Sequence, residues 1–245
     1  MKIAKGLEML EIPAVVMGKQ DCIYPTFLYD EKELVLIDTG FPGLLKEFRE
    51  GLAASGHALE HLTKIILTHH DIDHVGCLSS ILREAPQKPA VFAHQEEKPY
   101  VEGTKTPVKL AGLEASLGVL PEQLKMVYDS MKAFFDNNKV QIDGTLSDGQ
   151  ELPYCGGITV IAAPGHTPGH ICLYHKPSKT LIAGDALGVE HGLLVKPSSH
   201  INFDNKLAEE SLRKLSRLDI NRVICYHGGL FDTEVNQRIA ELALT

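Results

Sequence analysis

Residues 68–76, THHDIDHVG, place several metal-binding side chains directly after the apolar run 64–67. Four of these side chains fall within six residues: His69, Asp71, Asp73 and His74. The apolar run predicts a buried strand, and titratable groups at the end of a core strand need compensation for their desolvation. A divalent cation provides it, because imidazole and carboxylate groups are among its preferred ligands. A polar loop that carries its histidines by chance is the alternative.

Three further segments carry side chains of the same chemistry. In 163–170, APGHTPGH, two turns of the Pro-Gly type bracket His166 and are typical of a loop that holds a side chain at a fixed angle. Asp185 follows one predicted strand, and His227 follows another within the sequence YHGG. Each segment alone is weak evidence, because a histidine near glycine is more often a loop or capping residue.

Length and composition exclude several classes of protein. The chain has 245 residues, 44% of them hydrophobic and 23% charged, which suits one large globular domain or two small ones. A formal net charge of −8 argues against a nucleic-acid partner, since phosphate binding depends on Lys and Arg. No stretch approaches the roughly 18 apolar residues of a membrane span. Charges interrupt the first apolar pieces and the cysteines show no CxxC spacing, so we expect no signal peptide and a cytoplasmic location with reduced thiols.

Hydrophobic periodicity predicts an alternation of strands and helices. The expected strands of the first half are 14–17, 22–29, 34–37, 64–67 and 90–93. One helix follows Pro42, and a second, after the metal-binding loop, is expected to end at Pro86. The expected strands of the second half are 158–162, 170–174, 180–183 and 222–226, and its expected helices are 205–217 and 233–242.

The two halves of the chain resemble each other. Residues 27–38 and 172–185 both read as strand, polar turn, strand and aspartate, and each leads through a helical segment to a strand that ends in histidine. A duplicated half, paired face to face, would bring these strand ends into one cleft. A chance match over so short a segment is the alternative.

Residues 95–145 match neither half. They contain two segments with helical spacing of apolar residues, TPVKLAGLEASLG and PEQLKMVYDSMKAFFD. These helices either pack on the core or form a cap or dimerisation element beside the cleft, and the two roles are compatible. We therefore expect a monomer or a homodimer.

The order and context of these motifs resemble the metallo-β-lactamase superfamily over nearly the whole chain. The family pattern is an Asp-Thr-Gly strand end, a His-x-His-x-Asp-His run, a lone histidine, a bridging aspartate and a final histidine. The corresponding positions are Asp38, the run 69–74, His166, Asp185 and His227. The resemblance implies one α/β domain over residues 1–245, a four-layer αββα sandwich with a helical insertion at about 95–145 and the site along one edge of its two sheets.

The resemblance also implies a centre with two divalent metal ions. The implied ligands of the first metal are His69, Asp71 and His166. Those of the second are Asp73, His74 and His227, and Asp185 bridges both. Asp38 would orient the ligand loop, and His170 would support it.

Asp71 departs from the family pattern, in which most members carry a second histidine at this position. Three aspartate ligands and a bridging hydroxide balance two divalent cations, whereas histidine at position 71 would leave one positive charge. We expect the neutral centre to be less electrophilic and the pKa of its bound water to be higher. Oxygen ligands also shift the preference toward iron or manganese, although zinc remains the first expectation. A register with His70 as the ligand is disfavoured, because adjacent histidines point in different directions.

The expected activity is hydrolysis of a small ester, lactone or thioester through a metal-bridging hydroxide, with Asp73 and Asp185 as catalytic residues. An iron-dependent oxygenase or reductase on the same fold is the alternative that Asp71 suggests, and a non-catalytic scaffold is a third. We expect no export signal, basic C-terminal tail, nucleic-acid arm or flavin domain, and without these features the resemblance favours the lactonase-like members of the family. The loop after Asp185 is expected either to bind substrate or to be plain surface, through His191, Lys196, His200 and Asn202.

Overall fold

A computed structural model describes residues 1–16 and 19–244, so Met17 of the predicted strand 14–17 lies outside the described residues. The strands are β1 (Lys2–Ala4), β2 (Leu7–Met9), β3 (Ile12–Val16), β4 (Lys19–Ile23), β5 (Thr26–Tyr29), β6 (Leu34–Ile37), β7 (Lys64–Ile66), β8 (Ala90–His94), β9 (Gly144–Leu146), β10 (Glu151–Leu152), β11 (Ile158–Ala162), β12 (Ile171–His175), β13 (Thr180–Gly184), β14 (Gly188–Glu190), β15 (Leu193–Val195), β16 (Arg222–Cys225) and β17 (Gly229–Phe231). The helices are α1 (Leu45–Ala54), α2 (Ile72–Val75), α3 (Leu78–Glu84), α4 (Lys98–Val101), α5 (Val108–Ala115), α6 (Glu122–Asn137), α7 (Asn205–Leu215) and α8 (Val235–Leu244). None of the helices in the described residues is long and apolar enough to cross a bilayer.

Most strands belong to two mixed sheets. The first has seven strands in the order β1-β2-β5-β6-β7-β8-β9, and the second has six in the order β10-β11-β12-β13-β16-β17. Two separate hairpins, β3–β4 and β14–β15, complete the strand pairing. In each large sheet the strands that precede the metal-binding motifs lie near the centre, where neighbours on both sides restrain them.

Three groups of buried side chains separate the layers. The group between the sheets joins Leu28 and Ile66 to Val160 and Ile182. Phe48 of α1 and other side chains of α1 and α3 cover the outer face of the first sheet, and α7 and α8 cover that of the second. Burying each such aliphatic or aromatic side chain contributes about 1.5–3 kcal/mol to folding. The result is the four-layer αββα sandwich that the family resemblance implies.

The duplicated topology is visible in the strand pairing. In the first half, β5 and β6 form an antiparallel hairpin and β7 then pairs parallel to β6. In the second half, β12 and β13 form the matching hairpin and β16 pairs parallel to β13. Each crossover contains a helix, α1 in the first half and α7 in the second. The carboxyl ends of the central strands therefore occupy equivalent places in the two sheets.

Some predicted elements were wrong in their bounds. Residues 22–29 do not form one strand: β4 ends at Ile23 and β5 begins at Thr26, because Pro25 has no amide proton to donate to a ladder. The helix predicted after the metal-binding loop is divided into α2 and α3, since the Cys77 amide donates to the Thr39 carbonyl at 3.2 Å. The helices predicted at 205–217 and 233–242 instead end at Leu215 and begin at Val235, respectively.

Residues 95–145 contain three helices, α4 to α6, and the start of β9, which pairs parallel to β8 at the edge of the first sheet. The helical region therefore leaves from the end of β8 and returns as β9, the edge strand of the sheet. This path keeps it beside the loops at the carboxyl ends of the strands.

Candidate metal centre

The predicted ligands lie at the carboxyl ends of parallel strands from both sheets. Asp38 and His69 follow β6 and β7 of the first sheet, and Asp185 and His227 follow β13 and β16 of the second. Because the sheets pack face to face, these four strand ends meet at one edge of the sandwich. His166 comes from the turn between β11 and β12.

The first cluster consists of His69, Asp71 and His166, all three buried. Asp71 Oδ2 lies 3.1 Å from His69 Nε2 and 2.9 Å from His166 Nε2. Three donor atoms that converge from two different loops within 4.8 Å of one another can hold a metal ion. This is the set that the resemblance assigns to the first metal.

The second cluster consists of Asp73, His74, Asp185 and His227, again within 4.8 Å of one another. His227 Nε2 lies 3.2 Å from Asp73 Oδ2, and His74 Nε2 lies 3.2 Å from Asp185 Oδ1. Asp73 and His74 lie on the short helix α2, whose single turn directs both toward the strand ends.

Asp185 lies between the two clusters. Its Oδ2 atom is 3.5 Å from His227 Nε2 of the second cluster and 3.4 Å from His166 Nε2 of the first. The same atom is 3.9 Å from His69 Nε2. A carboxylate in this position can serve both clusters, as the predicted bridging role requires.

Asp38 belongs to neither cluster but orients side chains of both. It accepts hydrogen bonds from the Thr68 amide at 2.8 Å, from the Thr68 hydroxyl at 2.7 Å and from His74 Nδ1 at 2.9 Å. Thr68 Oγ1 in turn lies 3.0 Å from His69 Nδ1. These contacts leave the Nε2 atoms of His69 and His74 facing the clusters, which is the usual arrangement behind a metal-ligating imidazole.

His170 supports the backbone of the bridging residue. Its Nε2 atom accepts a hydrogen bond from the Asp185 amide at 3.0 Å, and burial next to His166 lowers the pKa of His170 to about 3. Gly184, next to Asp185, allows this close approach of His170. It has a φ of +52°, and a Cβ at this position would lie 2.7 Å from His170 Nε2. This is the supporting position that the family resemblance implies for His170.

His70 points away from the clusters, as the sequence predicts. Its Nε2 atom accepts a hydrogen bond from the Val108 amide at 3.2 Å, so Nδ1 carries the proton and donates it to Glu97. Its ring also stacks on Tyr100 of α4, with centroids 4.1 Å apart. His70 therefore fastens the metal-binding loop to the helical insertion.

Glu97 is a buried carboxylate that sequence reasoning missed. Besides His70 Nδ1, it accepts hydrogen bonds from the His70 amide at 2.9 Å and from the Thr167 hydroxyl and the Gly169 amide at 2.7 Å each. Burial opposes its ionisation, but the neighbouring His70 and these donors hold the pKa of Glu97 below its usual value. One side chain thus joins the first metal-binding loop, the insertion and the turn that carries His166.

Lys109, from α5 of the insertion, is the second residue that sequence reasoning missed. Its Nζ atom lies 2.6 Å from Asp71 Oδ2 and 3.3 Å from His166 Nε2. In the sequence it is one polar residue within a helical pattern, and no local signal separates it from a surface lysine. By contrast, no hydrogen bond or ion pair between described residues joins the clusters to the side chains of the loop after Asp185, namely His191, Lys196, His200 and Asn202.

The charges of the two clusters shift the pKa values of their members in opposite directions. Burial opposes protonation of His227, but the carboxylates of Asp185 and Asp73 outweigh it and raise the pKa of His227 to about 10. Burial also opposes protonation of His74, but the negative charges of Asp185 and Asp38 outweigh it and raise the pKa of His74 well above its usual value. At His69, burial and the neighbouring His74 hold the pKa well below its usual value.

The residues present fit a pair of divalent cations. His74 Nε2 and Asp185 Oδ1 are both buried and, although 3.2 Å apart, have no hydrogen-bond partner among the described residues. Buried polar atoms without partners cost free energy, which a cation between them would recover. The donor set of imidazole nitrogens and carboxylate oxygens is one that zinc, iron and manganese all accept.

Comparison with known proteins agrees with this geometry. The family model described as the metallo-beta-lactamase superfamily matches residues 22–227. The probable metallo-hydrolase YflN of Bacillus subtilis (strain 168) is 30% identical over 218 residues, which are 79% of this chain and 75% of that protein. A hydroxyacylglutathione hydrolase of Cereibacter sphaeroides is also 30% identical, over 190 residues that are 77% of this chain and 56% of the relative.

Solved structures show the same fold. A metallo-beta-lactamase family protein of Thermus thermophilus, TTHA1429, superposes with a TM-score of 0.75 at 25% identity, over 99% of this chain and 80% of that one. A metallo-beta-lactamase of Pontibacter korlensis superposes with a TM-score of 0.70 at 17% identity, over 100% and 98% of the two chains. The family model and the relatives together show that this chain belongs to the metallo-β-lactamase superfamily.

Proposed function

We propose that this chain is a dinuclear metal-dependent hydrolase that cleaves a small ester, lactone or thioester. The observation that carries the proposal is the position of Asp185 between two clusters of donor atoms, with its Oδ2 within 3.5 Å of His166 and His227. Two cations that share a carboxylate in this way are typical of hydrolytic sites with a pair of metals. Membership of the superfamily and the metallo-hydrolase names of its relatives agree with this activity.

The proposed roles follow from the environment of each side chain. When bound, the metals supply an activated water and polarise the substrate carbonyl. His69, Asp71 and His166 would hold the first metal, and Asp73, His74 and His227 the second. Asp73 is about 14% exposed and lies next to His227, which is 39% exposed, so it is the carboxylate best placed to pass a proton to the leaving group.

The insertion contributes to the substrate site in this proposal. An apolar groove of about 620 Å³ lies beside Ile72, the residue between the ligands Asp71 and Asp73. One wall comes from Pro42 and Ile72, and the other from α6, mainly through Met126, Val127, Met131 and Phe134. Such a groove suits a small substrate with an apolar portion next to its scissile carbonyl.

The test is a substrate panel combined with metal analysis. Protein purified without added metal is expected to contain up to two equivalents of divalent metal, with zinc first and iron or manganese as the other candidates. Lactones, thioesters, simple esters and phosphodiesters are then assayed with the loaded enzyme. Hydrolysis of one of the first three classes that is lost on chelation is the expected result, and a metal-loaded protein that hydrolyses none of them contradicts the proposal.

Asp71 supports one alternative, an iron-dependent oxygenase or reductase on the same fold. A carboxylate instead of a histidine shifts the donor set toward iron. Iron as the dominant native metal, with visible absorbance and oxygen consumption but no hydrolysis, would favour this alternative.

We also propose a cytoplasmic enzyme that acts as a monomer or homodimer, without a nucleic-acid or membrane partner. The formal charge of −8 supports the absence of a nucleic-acid partner. Cell fractionation and the hydrodynamic mass in solution test the location and the oligomeric state.

A further inference from the structure

Lys109 brings a positive charge from the insertion to the first cluster. Its Nζ atom lies 2.6 Å from Asp71 Oδ2, and among the described residues it is the only lysine or arginine that pairs with a carboxylate of either cluster. The Asp71 side chain is 4% exposed and the Lys109 side chain 40%. The ammonium group therefore lies at the boundary between the buried ligands and solvent.

The position of Lys109 is built into the fold rather than left to a flexible side chain. Val108, its neighbour at the start of α5, donates its amide proton to His70 Nε2, and His70 is held in turn by the buried Glu97. Glu97 also accepts from Thr167, next to the ligand His166. The start of α5 is thus bonded to the loop that carries Asp71 and, through Glu97, to the turn that carries His166.

Metal binding changes which anion is available to Lys109. A divalent cation that takes Asp71 as a ligand competes with the ammonium for the same carboxylate oxygen. No other carboxylate of the described residues lies within 4 Å of the Lys109 ammonium. A partly buried cation without a counter-charge is unfavourable, so it favours an anion supplied from the cleft.

The total charge agrees with this requirement. Two divalent cations exceed the carboxylates of Asp71, Asp73 and Asp185 by one positive charge, and Lys109 adds a second. This net charge equals the net charge of a two-metal centre that has histidine at position 71 and no lysine. Lys109 therefore compensates, at the level of net charge, for the aspartate that departs from the family pattern, and it places the compensating charge where a substrate can reach it.

We propose that Lys109 is a substrate-binding residue that exchanges Asp71 for a carboxylate group of the substrate when metal occupies the first cluster. This inference rests on the proposed hydrolase function and narrows its substrate to an ester, lactone or thioester with a carboxylate close to the scissile carbonyl. The insertion then supplies both an apolar wall and the charge that selects the substrate.

The kinetic test compares two lactones that differ by one charge. One is a five-membered lactone with a carboxylate next to the ring oxygen, and the other has a carboxamide in its place. The zinc-loaded enzyme is expected to prefer the carboxylate roughly 10- to 100-fold in kcat/KM, mainly through KM, as for a charge-assisted hydrogen bond. Lys109→Met brings the ratio close to one, and Lys109→Arg restores part of it. The matched control is Lys105→Met, an exposed lysine of the same insertion, which leaves the ratio unchanged.

A second measurement does not depend on turnover. In protein stripped of metal, Lys109→Met leaves the buried Asp71 carboxylate without its counter-charge and lowers the Tm by about 4 °C. Zinc supplies the missing charge, so the rise in Tm on zinc addition is larger for this variant than for the wild type. An equal loss of Tm with and without zinc would contradict the exchange of partners.

Binding of unreactive analogues separates this inference from the proposed function. Calorimetry with cyclopentanecarboxylate and cyclopentanecarboxamide measures recognition of the charge without hydrolysis. Carboxylate binding that depends on Lys109, with no hydrolysis of any ester, overturns the proposed activity and supports the inference. A carboxylate preference in hydrolysis, or a carboxylate affinity, that is the same in wild type and Lys109→Met overturns the inference and leaves the activity intact.

Discussion

The two clusters use the same side-chain types but are balanced by different parts of the molecule. In the first, Asp71 pairs with Lys109, which comes from the insertion. In the second, Asp73 and Asp185 pair with histidines, and no lysine or arginine of the described residues takes part. The charges of the second cluster are therefore balanced within the duplicated sandwich, whereas those of the first are balanced partly by the inserted helices.

The supporting residues follow the same division. His74 of the second cluster is held by Asp38, which follows β6 of the sandwich. The loops of the first cluster are joined by Glu97, which lies just before α4 of the insertion. We therefore expect changes in the insertion to act mainly on the first metal, and changes at Asp38, which bonds His74 directly, mainly on the second. Substitutions of Asp185, which lies between the clusters, and of the supporting residues Glu97 and Asp38 test this division.

The largest effect is expected where the clusters meet. Asp185→Ala removes the carboxylate that lies within 3.5 Å of both His166 and His227, so neither metal keeps its full ligand set. We expect the loss of most bound metal and a fall in kcat/KM of at least about 10³-fold, equivalent to about 4 kcal/mol. Metal content by elemental analysis and the rate with the best substrate of the panel are measured together. A variant with two bound metals and full turnover would show that the ligand assignment is wrong.

Glu97→Gln is the substitution that separates the first cluster from the second. The amide presents a donor to groups that already donate to Glu97, so at least one buried hydrogen bond is lost. We expect a loss of about 2–4 kcal/mol in the free energy of unfolding and a roughly 10- to 100-fold weaker first metal site. Metal titration against a chelator resolves the two sites.

The neighbouring Glu96 is exposed, and Glu96→Gln therefore serves as the control for Glu97→Gln. It should leave both metal sites and the stability unchanged. Equal weakening of both sites by Glu97→Gln would mean that the insertion supports the whole centre, and the proposed division would fail.

Asp38→Asn is the complementary change at the second cluster. Asp38 has a φ of +61°, which asparagine tolerates, so the substitution changes the hydrogen bonds and not the backbone. The loss of an acceptor for Thr68 or His74 should weaken the second metal site roughly 10- to 100-fold. The same chelator titration is the measurement, and Asp21→Asn, at an exposed position of β4, is the control. A first site weakened as much as the second would mean that Asp38 supports both sites equally, through His74 and through Thr68 and His69, and the proposed division would fail.

The difference between the clusters also explains which residues of the site could be predicted from the sequence and which could not. The histidines and aspartates at the ends of predicted strands carried the resemblance to the family, and that resemblance implied the sandwich and the seven residues that the structure groups together, although their binding of metal remains a prediction. Glu97 and Lys109 could not be found in this way. Their roles depend on where the insertion lies against the loops, and a glutamate before one helix and a lysine within another carry no local sign of a buried partner. The break at Pro25 was missed for a different reason. The apolar residues on both sides were interpreted as one strand, although a proline cannot donate a backbone hydrogen bond within a sheet.

The smallest effect is expected at His175, which lies at the opposite end of β12 from His170 and serves as a reference outside both clusters. Its Nε2–H donates to the Cys155 carbonyl at 3.0 Å, and burial lowers the pKa of His175 below its usual value. The unfolded chain takes up a proton at this residue below about pH 6.5, whereas the folded protein does so only at lower pH. The contribution of His175 to stability is therefore complete above that pH. It falls as the pH decreases, by at most about 1.4 kcal/mol per pH unit. His175→Asn should flatten the decline in the free energy of unfolding between pH 7 and pH 5, measured on metal-stripped protein, without changing the metal content of the loaded enzyme. An unchanged slope would mean that His175 does not contribute to the acid sensitivity of the fold.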